Sequence, residues 1–182
     1  VNACLSAVPS GEACCSTDAN CADPSSARCG SAGCVDMPDW DVSLVTDMQF
    51  LFGGARNFNG DLSRWDVGSV RNMRNMFLTA RKFAGGDLSS WNTSKVTNMR
   101  GMFACGDPSP STNVFNGDVS TWDVSSVTGM TNMFFRAGAF NQDISSWNTS
   151  QVTDMRYMFK KAAAFYQDIT GWTTTSLTTS TG

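Results

Sequence analysis

Residues 140–159 read FNQDISSWNTSQVTDMRYMF, and close variants of this string return along most of the chain. Its tryptophan marks the register. Trp40, Trp65, Trp91, Trp122, Trp147 and Trp172 are separated by 25, 26, 31, 25 and 25 residues. The 26 comes from one extra residue near Gly85-Gly86. The 31 comes from six extra residues in the Pro/Ser-rich stretch 105–112, which reads as an extruded loop. A fixed period of this size signals stacked supersecondary units, none of which can bury its apolar face alone.

One unit is written W-[DN]-[VT]-S-x-V-T-[DN]-M-x-x-M-F-x-x-A-x-x-F-N-x-D-[LIV]-S-x. In the copy that starts at Trp147, Met155, Met158, Phe159 and Ala162 fall at i, i+3, i+4 and i+7, which predicts a short amphipathic helix. Asp154 precedes it, matched by Asp47, Asn72, Asn98 and Gly129, residue types that serve as helix N-caps. Phe165 returns to the core as Phe58, Phe83, Phe115 and Phe140 do. The stretch Asp168–Trp172 reads as extended, and a second extended stretch runs from each Trp to Val152 or its counterpart. The expected architecture is an α/β repeat solenoid, each coil built from one or two short strands and one short helix. Its core would hold Trp40, Trp65, Trp91, Trp122 and Trp147, Met73, Met99, Met130 and Met155, and Phe77, Phe103, Phe134 and Phe159. Five units occupy residues 40–172, followed by a partial sixth coil and a Ser/Thr-rich tail over 173–182.

The motif in residues 140–159 closely resembles the BspA-like surface-protein repeats, a family related to leucine-rich repeats and found on bacterial and protist cell surfaces. The resemblance spans residues 40–172. It implies right-handed, leucine-rich-repeat-like coils on an exported protein with adhesive or structural roles, and it carries over no catalytic residue. The cysteine-rich head and the insertion lie outside the pattern.

That head, residues 1–39, contains six of the seven cysteines: Cys4, Cys14, Cys15, Cys21, Cys29 and Cys34. Its Gly, Ser, Ala and Pro cannot bury enough apolar surface to fold unaided, so disulfides are expected to staple it into a small N-terminal cap. The paired C-x-x-C spacing of a zinc site is missing. Six cysteines leave fifteen connectivities open. Cys105, about seventy residues on, is the odd cysteine: a partner for the head, a link to another chain, or a free thiol. Disulfides imply an oxidising, extracellular setting, and a chain that opens on Val1 reads as a mature form with any leader removed.

Composition narrows the function further. The 182 residues carry a net charge of -3, no histidine and one glutamate, Glu12. Without histidine there is no Ser-His-Asp triad, no Cys-His dyad and no imidazole metal ligand. No run of Lys or Arg offers a phosphate footprint, so nucleic acid is a poor partner. No stretch approaches the ~18 apolar residues of a membrane span. An enzyme and a cofactor are therefore not expected.

Weaker signals remain. A carboxylate column that includes Asp118, Asp143 and Asp168 could line a calcium ladder. However, Asp118 follows Phe-Asn-Gly and Asp143 follows Phe-Asn-Gln, where short polar side chains usually tie up turn backbone. The threonines Thr46, Thr97, Thr128 and Thr153 form a narrow column that Arg71 interrupts. Asn92-Thr93-Ser94 and Asn148-Thr149-Ser150 are N-glycosylation sequons at the same repeat position. Thr173, Thr174, Thr175 and Ser176 are O-glycosylation candidates.

The head carries five acidic residues and one basic, and residues 40–182 carry eleven and twelve. Such a charge split, with no sequence cap after Trp172, suits head-to-tail contact between copies, which builds a fibre unless it closes. The expectation is thus an extracellular structural subunit of a surface appendage, filament or matrix, with copies of itself as partners. The alternative is a monomeric adhesion or carbohydrate-binding module.

Overall fold

In the computed structural model, the described residues are 1–16, 18–23, 25, 29, 34–106 and 113–178. They contain one α-helix, α1 (Asn2–Ala7), and one 3-10 helix (Met37–Asp39). No strand longer than an isolated bridge occurs among them. The expected α/β solenoid of leucine-rich-repeat-like coils is therefore overturned: the repeats contain neither the M-x-x-M-F helix nor the extended stretches around each Trp. They are built from turns.

The turns follow a fixed pattern. Asp47, Asn72, Asn98, Gly129 and Asp154 form a row of parallel bridges, each pairing with the next, so each marks one rung of a stack. They are bridge residues and not N-caps. Four of them fold their side chain onto the backbone two residues on: Gln49 N–H donates to Asp47 Oδ1 at 2.8 Å, and Arg74, Arg100 and Arg156 N–H donate likewise to Asn72, Asn98 and Asp154.

Beyond the bridge, hydrogen bonds alternate between local and axial. The N–H groups of Leu51, Gly53 and Ala55 close turns onto Met48, Phe50 and Phe52. The N–H groups of Met48, Phe50, Phe52 and Gly54 donate to the carbonyls of Asn72, Arg74, Met76 and Leu78 in the next rung, at 2.7–3.0 Å. The same four-bond register joins every later pair of rungs, ending with Met130, Asn132, Phe134 and Arg136 onto Asp154, Arg156, Met158 and Lys160.

This backbone needs left-handed residues. Phe50, Asn75, Gly101, Asn132 and Tyr157 hold one such place in successive rungs, with φ from 54° to 61°. Gly54, Thr79, Arg136 and Lys161 hold a second. A positive φ at each place breaks the i→i−4 ladder of an α-helix and frees alternate N–H groups to point along the stack. Met73, Met76, Phe77 and Ala80 are nonetheless all buried. Two linked turns can thus present the i, i+3, i+4, i+7 stripe of a helix without being one.

The core is a set of side-chain columns. Phe52, Phe77, Phe103, Phe134 and Phe159 stack with centroids 5.2–5.7 Å apart, and each lies 3.7–4.1 Å from a partner in the second column, Phe58, Phe83, Phe115, Phe140 and Phe165. Such offset rings add to the area they bury. The indole N–H groups of Trp91, Trp122, Trp147 and Trp172 each donate to a carbonyl of the preceding unit, those of Leu62, Leu88, Val119 and Ile144 in turn. Trp65, Trp91, Trp122 and Trp147, with Met73, Met99, Met130, Phe77, Phe103 and Phe134, are buried. Trp40, Met155 and Phe159, in the outermost layers, are half-buried.

The head packs on the first unit, against Phe58 and Asn59. Its bonds are Cys4–Cys14, Cys15–Cys29 and Cys21–Cys34. Gly11 lies against the Phe58 ring so closely that a Cβ there would sit 2.6 Å from Cε2. Asn59 N–H donates to the Ser10 carbonyl, and Cys15 and Ser16 N–H donate to Asp36 Oδ1 at 2.8 Å.

Candidate functional site

Three surfaces stand out: the two edges of the stack and a polar groove along its side. At the Asp154 edge, the N–H groups of Met155, Tyr157, Phe159 and Lys161 occupy the axial register and have no acceptor among the described residues. At the other edge, the carbonyls of Asp47, Gln49, Leu51 and Gly53 occupy the matching register and have no axial donor among the described residues. Half-buried Met155, Phe159, Phe165, Ile169 and Leu177 border the donor edge, and half-buried Trp40, Val45 and Leu51 the acceptor edge.

The groove centres on Gly129, which brings no side chain to the row of bridge residues. A depression of about 510 Å³ is lined by Thr97, Thr128, Thr153, Asn98, Arg100, Asp154 and Arg156. A second, of about 330 Å³, continues past Arg100 to Arg74, Asn75, Thr131 and Asn132. The threonine column is a hydroxyl ladder: Thr128 Oγ1 donates to the Thr97 carbonyl at 3.2 Å and Thr153 Oγ1 to that of Thr128 at 3.1 Å. Asp154 receives Arg156 through two bonds, Nε to Oδ1 at 3.0 Å and Nη2 to Oδ2 at 2.8 Å. That guanidinium is the main reason the Asp154 carboxyl lies well below the usual carboxylate range. The buried Thr131 hydroxyl also helps to keep it ionised, but makes no close hydrogen bond itself. Arg74 is exposed and has no ion pair among the described residues.

The remaining sequence candidates fall elsewhere. Asp118, Asp143 and Asp168 accept the N–H of Ser120, Ser145 and Thr170 at 2.9 Å, so each carboxylate is committed to its own turn. No group of acidic or cysteine side chains able to hold a metal occurs among the described residues. Asn92 and Asn148 are exposed on the same face of their units. The threonine that follows each is buried, with its hydroxyl bonded into the next unit. This explains why Thr can replace the buried Val67 and Val124 of other copies. Thr173, Thr174 and Thr175 are exposed, and Ser176 donates to the Ser150 carbonyl.

Cys105 is a buried free thiol, and all six head cysteines pair with one another. The bond from Cys105 to the head is therefore not formed, and the thiol is not displayed for a link to another chain. Most of the insertion that follows it, 107–112, lies outside the described residues.

Sequence reasoning missed the left-handed column and the groove. Asn75, Gly101 and Asn132, three residues tolerant of positive φ at one repeat position, were the signal for the first. Gly129 breaking a column of Asp and Asn was the signal for the second.

These features define a turn-built repeat stack with a disulfide-bonded head. Residues 27–107 and 110–182 each match the family described as "Mycoplasma protein of unknown function, DUF285". The chain belongs to this family. The match ties the repeats to that family, not to leucine-rich repeats. No curated protein and no solved structure matches the chain. Among the described residues no helix is long and apolar enough to cross a membrane.

Proposed function

We propose that this chain is an extracellular, non-enzymatic structural protein, a self-associating subunit of a surface appendage, filament or matrix. The observation that carries the reading is the pair of complementary edges: four axial donors over Met155–Lys161 and four axial acceptors over Asp47–Gly53, in one register. A rung from a second copy supplies what the donor edge lacks, and exposed edges of this kind template further pairing. Charge agrees with it. Lys160 and Lys161 flank the donors, while Asp41 and Asp47 flank the acceptors, all four exposed. The three head disulfides support an oxidising, extracellular setting.

Electron microscopy of the protein without reductant or denaturant, paired with sedimentation over a concentration series, tests this. Filaments with one subunit per short axial repeat are expected, and Lys160→Glu with Lys161→Glu should shorten them. Monodisperse single particles at every concentration overturn the proposal.

A further inference from the structure

We infer that the groove across Gly129 is a binding site for an extended anionic polysaccharide, carboxylated or sulfated, lying along the stack. The site runs along the side of the stack and shares Asp154 and Arg156 with the rung that forms the donor edge.

The argument begins with the missing side chain. Asp or Asn fills the bridge position in every other rung, and in two of them it interacts with a neighbour: Asn72 Nδ2 donates to both Asp47 oxygens at 3.2 Å. Gly129 leaves this row open, and Arg100 lies over the gap, its Cγ 3.2 Å from where a Cβ would stand. Arg74, Arg100 and Arg156 occupy the same position in their rungs, with Thr131 between the last two. Among the described residues only Asp154 pairs with any of these three guanidinium groups, so the groove is locally cationic on a chain whose net charge is -3.

Geometry selects the ligand. Parallel bridges set the rungs about 4.8 Å apart, close to the rise of one pyranose in an extended glycan chain, so successive sugars meet successive rungs. Guanidinium groups match carboxylate and sulfate through paired N–H donors. The Thr131 hydroxyl makes no close hydrogen bond and lies toward Asp154, whose ionised form it favours, so its share in holding a ligand is secondary to that of the guanidinium groups. Duplex DNA fits less well, because its affinity rests on a broad basic surface that this acidic chain lacks.

The test is binding of heparin, polygalacturonate, neutral dextran and duplex DNA to the full chain, at low and at physiological salt. Heparin or polygalacturonate should bind, and dextran should not. Gly129→Asp places a carboxylate where Asp47 and Asp154 already carry one, so the fold accepts it, yet it displaces Arg100. It should weaken binding about tenfold, the scale of one lost charge-assisted contact. Arg74→Gln, on an exposed side chain, should do the same, whereas Lys82→Gln outside the groove should leave binding unchanged. The inference is overturned if neither anionic glycan binds, if DNA binds as well as they do, or if Lys82→Gln weakens binding as much as the groove variants.

Discussion

Arg100 reaches Asp154 across an intervening rung, its Nη2 3.6 Å from Oδ2, because the rung between them contributes Gly129 to that row. Asp154 also holds Arg156 through two hydrogen bonds. One carboxylate thus joins three layers of the stack, and its charge is worth more here than in an isolated surface pair.

Acid should therefore loosen the stack through this group. Asp154 titrates below its ordinary value of 3.8, chiefly because Arg156 bonds the ionised form. Asp41 and Asp87 are also lowered, first by the hydroxyls of Ser43 and Ser89 and then by their N–H groups. A folded-state value below the unfolded one stabilises fully above 3.8, and that stability is lost as the pH falls below it. The melting temperature should hold from neutral pH to about pH 4 and drop beneath it. Asp154→Asn should melt lower than the parent at pH 7, and the gap should close as the pH is taken below 3.8. A gap that is constant with pH would contradict the assignment.

The left-handed column makes a second prediction. Phe50 holds φ 56° with a bulky side chain, at a cost of about 1 kcal/mol relative to residues that tolerate that region. Phe50→Asn should stabilise the protein by up to that amount, less what the ring gives up in packing, since Phe50 is 45% exposed. Asn132→Ala, at φ 58°, should lose about as much. Urea unfolding of both variants measures the pair. Two changes of the same sign would mean that side-chain contacts, not backbone strain, decide this position.

The same column shows what the sequence made legible. Which residues are buried followed from spacing alone, since the Met, Phe and Trp positions recur with their polarity intact and the rungs stack in that register. The conformation did not follow. A stripe at i, i+3, i+4 and i+7 reports which side chains face inward, and a helix and a pair of turns with one left-handed residue satisfy it equally. Asn75, Gly101 and Asn132 distinguished the two, but Phe50 and Tyr157 at the same place concealed the signal. The groove was legible only as a gap at Gly129, because what it exposes depends on where Arg100 turns. Disulfide pairing depends on how the head closes over Phe58, a tertiary contact with no trace in cysteine spacing.

Closure of the head can be weakened at one atom. Gly11 has φ 84°, and a Cβ there would meet Phe58 Cε2 at 2.6 Å and Cδ2 at 2.9 Å. Gly11→Ala should cost about 1–3 kcal/mol through overpacking and backbone strain together. Gly86, at φ 54° with nothing within 4 Å of where a Cβ would stand, separates the two effects. Gly86→Ala should cost only the backbone part, about 1 kcal/mol. Equal melting temperatures for the two variants would show that the head does not rest on Phe58.

Cys105 should behave as a core residue. Its side chain is buried and its N–H donates to the Phe135 carbonyl at 2.9 Å. Iodoacetamide should leave the native protein unmodified, and should add one group per chain after denaturation without reductant. Electrophoresis without reductant should show a single monomer band. A disulfide-linked dimer would require Cys105 to leave the core, or one head bond to open.

Finally, the phenylalanine columns should reveal which layers of the stack are closed. Phe103 is 1% exposed and contacts rings on every side: Phe77 at 5.6 Å, Phe115 at 3.7 Å, Phe134 at 5.7 Å and Trp122 at 6.1 Å. Phe103→Ala removes a ring the rungs cannot collapse to replace, because their spacing is fixed by backbone hydrogen bonds above and below. A loss of about 3–5 kcal/mol is expected. Phe159 has counterparts of these neighbours except on its outer side, Phe134 at 5.7 Å, Phe165 at 4.0 Å and Trp172 at 6.1 Å, and is half-buried. Phe159→Ala should therefore cost clearly less in dilute protein. At concentrations where copies assemble end to end, the cost should rise toward that of Phe103→Ala, because a neighbouring rung would then bury the same ring. Denaturant melts of both variants, at low and at high protein concentration, measure the two costs. A Phe159 penalty that does not change with concentration would mean that no second copy covers this edge.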